Sequence, residues 1–501
     1  MTPALFSLGI ISTGELSLYL APLWRYHKTA AWLLAVALVL TSGWLISEEL
    51  TVWTVLVLIM TVYRVLNLGR MIKDRLQADY LLHASRRTTY WLIGVQLSIL
   101  LAAALDNRYH MSATTWWYLL AAGQLLLALT LLASTIRHLR TTLPLPITKA
   151  YTDGDLPTLT VAIPARNETT DLETCLQSLI SSTYPKLEIL VLDDCSQNKR
   201  TPEIIRGFAH DGVRFVAGTV APGQWLAKNH AYAQLADEAN GELLLFCGVD
   251  ARFQPDSLSL LVKTLLQKEK AMLSIIPRNT LVSHFQTASL VVQPNRYVWE
   301  LALPRRLLQR PPVLSTCWLI SHQALKAAGS FQAVSSKSLP ESYLARATAA
   351  YDGYSFLQAT QTMGVSTHKA LDEQRDTAIR TRYPQLHQRS ELVALVGLVE
   401  LSVSIWPLIL LIAALASKTW LLAGLSAASY LMVTSMYSKI VNLTYRQFVL
   451  RGMWLLPLAA IYDIGLLNYS MWKYEFREVI WKGRNVCIPL IQVVPSLPKL
   501  H

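Results

Sequence analysis

Leu159-Thr-Val-Ala-Ile163 runs into Pro164-Ala-Arg-Asn-Glu168, Leu187-Glu-Ile-Leu-Val-Leu192 into Asp193-Asp194-Cys195-Ser196, and Leu243-Leu-Leu-Phe246 into Cys-Gly-Val-Asp250. Each is a short apolar stretch that stops at a polar cluster, and Val213-Arg-Phe-Val216 adds a fourth strand-like run. Between them, stretches such as Thr170 to Ser182 space their apolar residues as a helix does. Strand and helix in alternation predict an α/β domain with a mostly parallel sheet covered by helices. Ligands of such sheets gather at the carboxyl ends of the strands, where these polar clusters fall.

Outward from this region, about Leu156 to Arg389, the chain turns apolar. It has 501 residues, 52% of them hydrophobic and 16% charged, a balance that excludes a disordered chain and points away from a wholly soluble one. A bilayer core needs about 20 apolar residues in a helix. Candidate spans run from about Ala30 to Ile46, Leu50 to Leu66, Tyr90 to Leu105, Thr115 to Ile136, Leu392 to Ala416 and Trp420 to Tyr437. A seventh apolar segment, Met453 to Met471, carries Pro457, Asp463 and Asn468, and is expected to be re-entrant or interfacial, with a true span as the alternative. The first 23 residues hold Glu15 in their middle and read as an interfacial helix, with an extra span as the alternative.

Basic residues set the orientation. Arg25, His27 and Lys28 precede the first span, Arg64 stands at the end of the second, and Arg70, Lys73, Arg75, Arg86 and Arg87 lie between the second and third, which places those loops and the polar middle region in the cytoplasm. The net charge of +12 then reflects loops facing anionic lipid rather than a nucleic-acid partner. Five cysteines with no C-x-x-C pair exclude a disulfide framework or a zinc site. The expected organisation is a membrane region over 1–150 with about four helices, a cytoplasmic α/β domain over 151–371, and basic interfacial helices over 372–390. A second membrane region over 391–501 completes it, with two spans, the re-entrant or third span and a basic cytoplasmic tail.

At the strand ends, Pro164 stops the first ladder and a polar cluster follows. Asp193 and Asp194 end the second strand, where they serve a ligand or cap the next helix. Lys228, in Gly223-Gln-Trp-Leu-Ala-Lys228-Asn229, opens a helix and could hold phosphate charge or be merely solvated. Asp250 stands where a hard ion such as Mg²⁺ or Mn²⁺ would find an oxygen ligand.

Taken in order, these motifs resemble the family-2 glycosyltransferases of GT-A fold, in particular the membrane-embedded branch with ceramide glucosyltransferase and the hopanoid- and carotenoid-associated transferases. The resemblance covers about residues 156 to 346 and returns at Val479-Ile-Trp481-Lys-Gly-Arg484, similar to the signature that closes many such chains. It implies that Pro164, Arg166 and Glu168 line the donor pocket, that Asp193 and Asp194 contact base and ribose, and that Lys228 lies near the donor. Asp250 matches the second aspartate of the Asp-x-Asp metal motif, and Gly248 replaces the first, which weakens the expectation of a divalent cation. In Pro340-Glu341-Ser-Tyr-Leu344-Ala-Arg346, Glu341 matches the general base and Pro340 replaces a first acidic residue. Ile379-Arg-Thr-Arg382-Tyr383 keeps part of a (Gln/Arg)-x-x-Arg-Trp motif, so Arg380 and Arg382 are candidates for holding the diphosphate, with a basic helix lying on anionic lipid as a compatible reading. The resemblance implies transfer of a single sugar, with inversion, from a UDP- or GDP-sugar to a lipid-borne acceptor, at the bacterial plasma membrane. A processive polysaccharide synthase and a non-catalytic binding relative are the alternatives.

Overall fold

The structure, a computed structural model, describes residues 2–19, 27–48, 51–72, 79–109, 112–223, 225–280, 289–302, 310–445 and 454–487. They form two compact units, Met1–Leu120 with Ser390–Leu395, and Ala121–Arg389 with Val396–His501.

The first unit is built from α1 (Thr2–Ser17), α2 (His27–Glu48), α3 (Val52–Ile72), α4 (Asp79–Tyr109) and the first part of α5 (Ala113–Thr141). Glu15, expected at an interface, is instead buried and ion-paired with Arg64 at 2.9 Å. Arg64 also donates to Gln96 and Ser12. A charge inside an apolar bundle persists only when so paired. Among the described residues, six helical stretches are long and apolar enough to cross a membrane: His27–Leu45, Val52–Gly69, Thr89–Tyr109, Thr114–Thr141, Leu392–Ala416 and Trp420–Thr444.

The second unit holds the α/β sheet. Its strands are β1 (Leu159–Ala165), β2 (Leu187–Asp193), β3 (Val213–Ala217), β4 (Leu243–Cys247), β6 (Met272–Ile276), β8 (Cys317–Ser321) and β9 (Tyr354–Gln358). They lie in the order β3-β2-β1-β4-β8-β6-β9, and β8 alone runs against its neighbours. The mostly parallel sheet expected from the four strand-like runs is therefore present. Pro164 does not end its strand: pairing with β2 continues through Ala165 and Asp193, whereas pairing with β4 stops at Ala162 and Phe246. A proline lacks the donor that a second neighbour would need, so it sits where only one remains.

Alternation along the strands builds two cores. Val161, Ile163 and Leu245 face α6 (Thr170–Ile180), α7 (Arg200–Gly207) and α9 (Ser257–Gln267). Ala162, Leu244 and Phe246 face α8 (Ala227–Glu238), α11 (His322–Ala327) and α12 (Pro340–Ala349). In the second core Phe246 stacks on Trp318 at 4.4 Å, and Tyr232 and Phe331 meet Phe246 edge-on. A small sheet of β5 (Ala251–Phe253), β10 (Val365–Thr367) and β7 (Arg278–Asn279) adjoins the end of β4.

Among the remaining helices are α10 (Ser289–Leu301), α13 (Leu371–Gln385), α14 (Ser390–Ser404), α15 (Trp406–Ala416), α16 (Trp420–Thr444) and α17 (Leu456–Glu475). Pro407, in the first turn of α15, marks the break after α14. The basic helix expected to lie on lipid is α13: Gln374, Thr377, Thr381, Arg382 and Gln385 are buried along one face, and Asp372, Glu373, Arg375 and Asp376 are exposed. Asp463 of α17 is buried too, accepting hydrogen bonds from Arg382 at 2.5 Å and Trp299 at 3.0 Å. Met453 and the tail beyond Cys487 fall outside the described residues.

Candidate functional site

The loops after β1 and β2 are laced together at the carboxyl edge of the sheet. Arg166 is buried and donates through Nη1 to the carbonyls of Asp194 and Cys195, at 2.7 and 2.6 Å. Asn167 and Cys195 both take positive φ, 51° and 50°. In that turn Asn167 receives Gln197 N–H on its side chain at 2.8 Å and donates its own N–H to Ser196. Asp193 receives Ser196 N–H at 3.1 Å. Arg166 thus shapes the carboxylate loop rather than presenting its charge outward.

Asp194 and Glu168 are met from a distant part of the chain. Arg484 donates to both Asp194 oxygens at 2.8 and 2.7 Å, and Lys482 pairs with Glu168. Arg166 Nε completes the lacing by donating to the Lys482 carbonyl at 3.1 Å. Burial pushes the Asp194 carboxyl upward, against the pull of Arg484. The tail signature, Trp481 to Arg484, therefore closes over the residues assigned to base and ribose.

Asp250 lies in the turn between β4 and β5. Antiparallel pairing of Thr367 with Ala251, and His368 N–H donating to the Asp250 carbonyl at 2.9 Å, bring β10 alongside. Thr367 Oγ1 donates to Asp250 Oδ2 at 2.6 Å, and Lys369 Nζ lies 3.4 Å from the same oxygen. Burial alone would raise the Asp250 carboxyl; Lys369 and Thr367 outweigh it and hold the pKa below the usual range. Burial lowers Lys369 from its ordinary value, with Asp250 opposing. Gly248 explains the carboxylate's pose: a Cβ there would fall 2.4 Å from Asp250 Oδ1.

Glu341 sits in the first turn of α12, just after Pro340, where the helix dipole favours a carboxylate. It is buried, and its Oε2 has no hydrogen-bond partner among the described residues. The Lys228 Nζ lies 3.7 Å from it. Burial lowers Lys228 from its ordinary value, with Glu341 opposing. Their approach is fixed by the next residue: buried Asn229 donates to the carbonyls of Val334, Ser335 and Lys337 at 2.7 to 3.0 Å, pinning the segment that leads into α12.

Arg380 and Arg382 part company. Two residues along a helix is about 200° of rotation, so they face opposite sides. Arg380 is within the electrostatic field of Glu341 and packs over Trp481 at 4.8 Å. Arg382 is committed to Asp463 and to the face of Trp299, 4.6 Å away. The structure thus gathers Lys228, Arg380, Asp250 and Glu341, and places Arg382 in the helix packing instead. The residues that the sequence did not single out are Asn229, Arg296, Thr367 and Lys369. Asn229 was signalled only by adjacency to Lys228, and the others by nothing local.

Residues 160–329 match the family described as "Glycosyl transferase family 2". Among similar proteins, the chain is 35% identical over 99 residues to "Glycosyltransferase AglE" of Haloferax volcanii, covering 19% of this chain and 31% of the relative. It is 32% identical over 121 residues to "4,4'-diaponeurosporenoate glycosyltransferase" of Staphylococcus aureus, covering 24% and 31%. The match thus spans less than a third of those relatives. Among solved structures, "Mannosyltransferase PcManGT from Pyrobaculum calidifontis in complex with GDP-Man and Mn2+" is similar at 19% identity and a TM-score of 0.39, covering 70% of this chain and 97% of that one. "S. aureus TarS 1-349 in complex with UDP-GlcNAc" is similar at 14% identity and a TM-score of 0.31, covering 64% and 92%.

Proposed function

We propose that this chain, whose residues 160–329 form a glycosyl transferase family 2 domain, is a membrane enzyme that transfers one sugar from a UDP- or GDP-sugar to a lipid-borne acceptor, with inversion. The observation that carries this reading is Glu341, a buried carboxylate whose Oε2 accepts no hydrogen bond among the described residues and faces the Lys228 ammonium at 3.7 Å, on the same edge of the sheet as Asp194 and Asp250. Its placement suits a base that works beside a cationic site for a leaving diphosphate.

In the proposed chemistry the acceptor hydroxyl oxygen attacks the anomeric carbon as the bond from that carbon to the diphosphate oxygen breaks. The bonding pair leaves with the diphosphate, and Glu341 takes the hydroxyl proton. Lys228 and Arg380 meet the charge that develops on the leaving group. Asp193, Asp194 and Glu168 are proposed to frame the base and ribose, within the loops that Arg166 and Pro164 shape. The lipid acceptor rests on the six apolar helices and on the name of the Staphylococcus aureus relative. A cytoplasmic site at a bacterial plasma membrane rests on the basic loops.

The sequence expects a divalent cation at Asp250. Mg²⁺ at a nucleotide site is usually held by one or two carboxylates together with phosphate oxygens, and here Gly248 leaves Asp250 as the single carboxylate of the motif. Asp250 Oδ2 is already met by Thr367 and Lys369. This donor set does not fit a divalent cation, and no step is routed through one.

Mass spectrometry of membrane lipids from cells with and without the protein tests the reading. A lipid heavier by one sugar, present only with the active protein, is expected. An unchanged lipid profile sinks the lipid acceptor, and a ladder of products differing by many sugars sinks single transfer in favour of a polysaccharide synthase.

A further inference from the structure

We propose that the donor diphosphate is neutralised by side-chain cations, with Lys369 standing where a divalent cation would be expected. This rests on the nucleotide-sugar reading and deepens it.

Three observations meet at Asp250. The first is spatial: with glycine at position 248, the Asp250 carboxylate occupies the room that a side chain there would need. The second is coordinative. Oδ2 accepts from Thr367 at 2.6 Å and lies 3.4 Å from the Lys369 ammonium, so the single carboxylate is balanced by a single built-in positive charge. The third is collective. Lys369 and Lys228 each lie in the electrostatic field of both Arg296 and Arg380. Of the carboxylates nearby, Asp171 is already paired with Arg252 at 2.8 Å, which leaves Asp250, Glu341 and Glu373 against Lys228, Lys369, Arg296 and Arg380.

Like charges gathered and buried together are unfavourable unless an anion joins them. Arg296 Nε is buried without a hydrogen-bond partner among the described residues, which is a donor available to such an anion. A diphosphate entering here satisfies both requirements, since its oxygens accept charge-assisted hydrogen bonds and its charge relieves the repulsion. When the bond to the anomeric carbon breaks, the added negative charge falls on a diphosphate oxygen already held by ammonium and guanidinium groups. Lys369 reaches it by exchanging Asp250 for phosphate, and Asp250 keeps the ammonium in place between turnovers.

Calorimetric titration of UDP and of GDP into the full chain in detergent tests this, once with EDTA and once with Mn²⁺. At least one nucleotide is expected to bind with EDTA as it does with Mn²⁺, within about twofold. Lys369→Ala should weaken binding in EDTA by about tenfold or more, the loss of one charge-assisted contact, and Lys369→Arg should restore most of it. Binding that appears only with Mn²⁺, or an alanine variant that binds as tightly as wild type, overturns the proposal while leaving the nucleotide-sugar reading standing. Binding of neither nucleotide under either condition sinks that reading and this proposal with it. Should the alanine variant fail to fold, as judged by its melting temperature, the comparison of EDTA with Mn²⁺ on wild-type protein decides alone.

Discussion

Glu341 and Asp250 are both buried carboxylates, and the proposed chemistry gives them opposite tasks. Asp250 Oδ2 accepts from Thr367 at 2.6 Å beside Lys369, which holds the carboxylate ionised, whereas Glu341 Oε2 accepts no hydrogen bond among the described residues and faces the Lys228 ammonium at 3.7 Å. Glu341→Gln should therefore leave UDP or GDP binding nearly intact and lower turnover by roughly 10²-fold or more. Turnover within a few-fold of wild type would remove Glu341 from its role. Gly248→Asp makes the converse test. Its Cβ would displace Asp250 Oδ1 and add negative charge beside the diphosphate, so nucleotide affinity should fall in EDTA and recover with Mn²⁺. An affinity indifferent to both the substitution and the metal would show that position 248 does not face the donor. Strand ends and first turns of helices are written locally, which is why Asp250 and Glu341 could be found in the sequence. Lys369 could not, because its partner lies across a β10–β5 pairing whose Thr367 and Asp250 are 117 residues apart.

At the scale of elements, the hairpin β11 (Ile480–Trp481) and β12 (Arg484–Asn485) carries the most consequence for its size. Lys482 and Gly483, its two central residues, have positive φ of 46° and 78°, the signature of the tight turn that suits strand twist, and the glycine makes it accessible. The turn sends the Lys482 and Arg484 side chains to Glu168 and Asp194, while Trp481 receives Arg380 on its face. The sequence shows the motif but not its destination, since 290 residues separate Arg484 from Asp194. Removing one member of such a pair strands a mostly buried charge. Arg484→Ala should destabilise the protein by roughly 1–3 kcal/mol, less than a fully buried pair because both groups keep some water contact. Asp194→Asn in the same chain should recover part of that loss. Denaturant midpoints for the two single variants and the double variant measure this coupling, and a coupling near zero would show that the ion pair does not hold the hairpin.

At the scale of the whole molecule, the hairpin also constrains how the chain crosses the membrane. Arg484 and Asp194 touch, so the chain near residue 484 and the candidate site lie on one side of the bilayer. Among the described residues, two stretches between the α/β domain and the hairpin are long and apolar enough to cross, Leu392–Ala416 and Trp420–Thr444. Two crossings return the chain to its starting side, and a third would not. If both stretches cross, this parity predicts that α17 does not span, despite its apolar sequence. Its Asp463 is held by Arg382 of α13 and Trp299 of α10, partners that give a carboxylate the company it needs away from water. Sequence hydropathy leaves this segment open because a helix apolar on most faces packs equally well on lipid or on other helices. The contacts of Asp463 distinguish the two. Four candidate spans precede the α/β domain among the described residues, so if all four cross, the same count predicts the amino terminus on that side as well, as the basic loops do. Glu478 is exposed and just precedes the hairpin. With the native cysteines replaced and Glu478→Cys introduced, a membrane-permeant thiol reagent should label the protein in intact cells, and an impermeant one only after lysis. Labelling by the impermeant reagent from outside intact cells would require an odd number of crossings, which the ion pair between Arg484 and Asp194 does not permit if the catalytic domain is cytoplasmic.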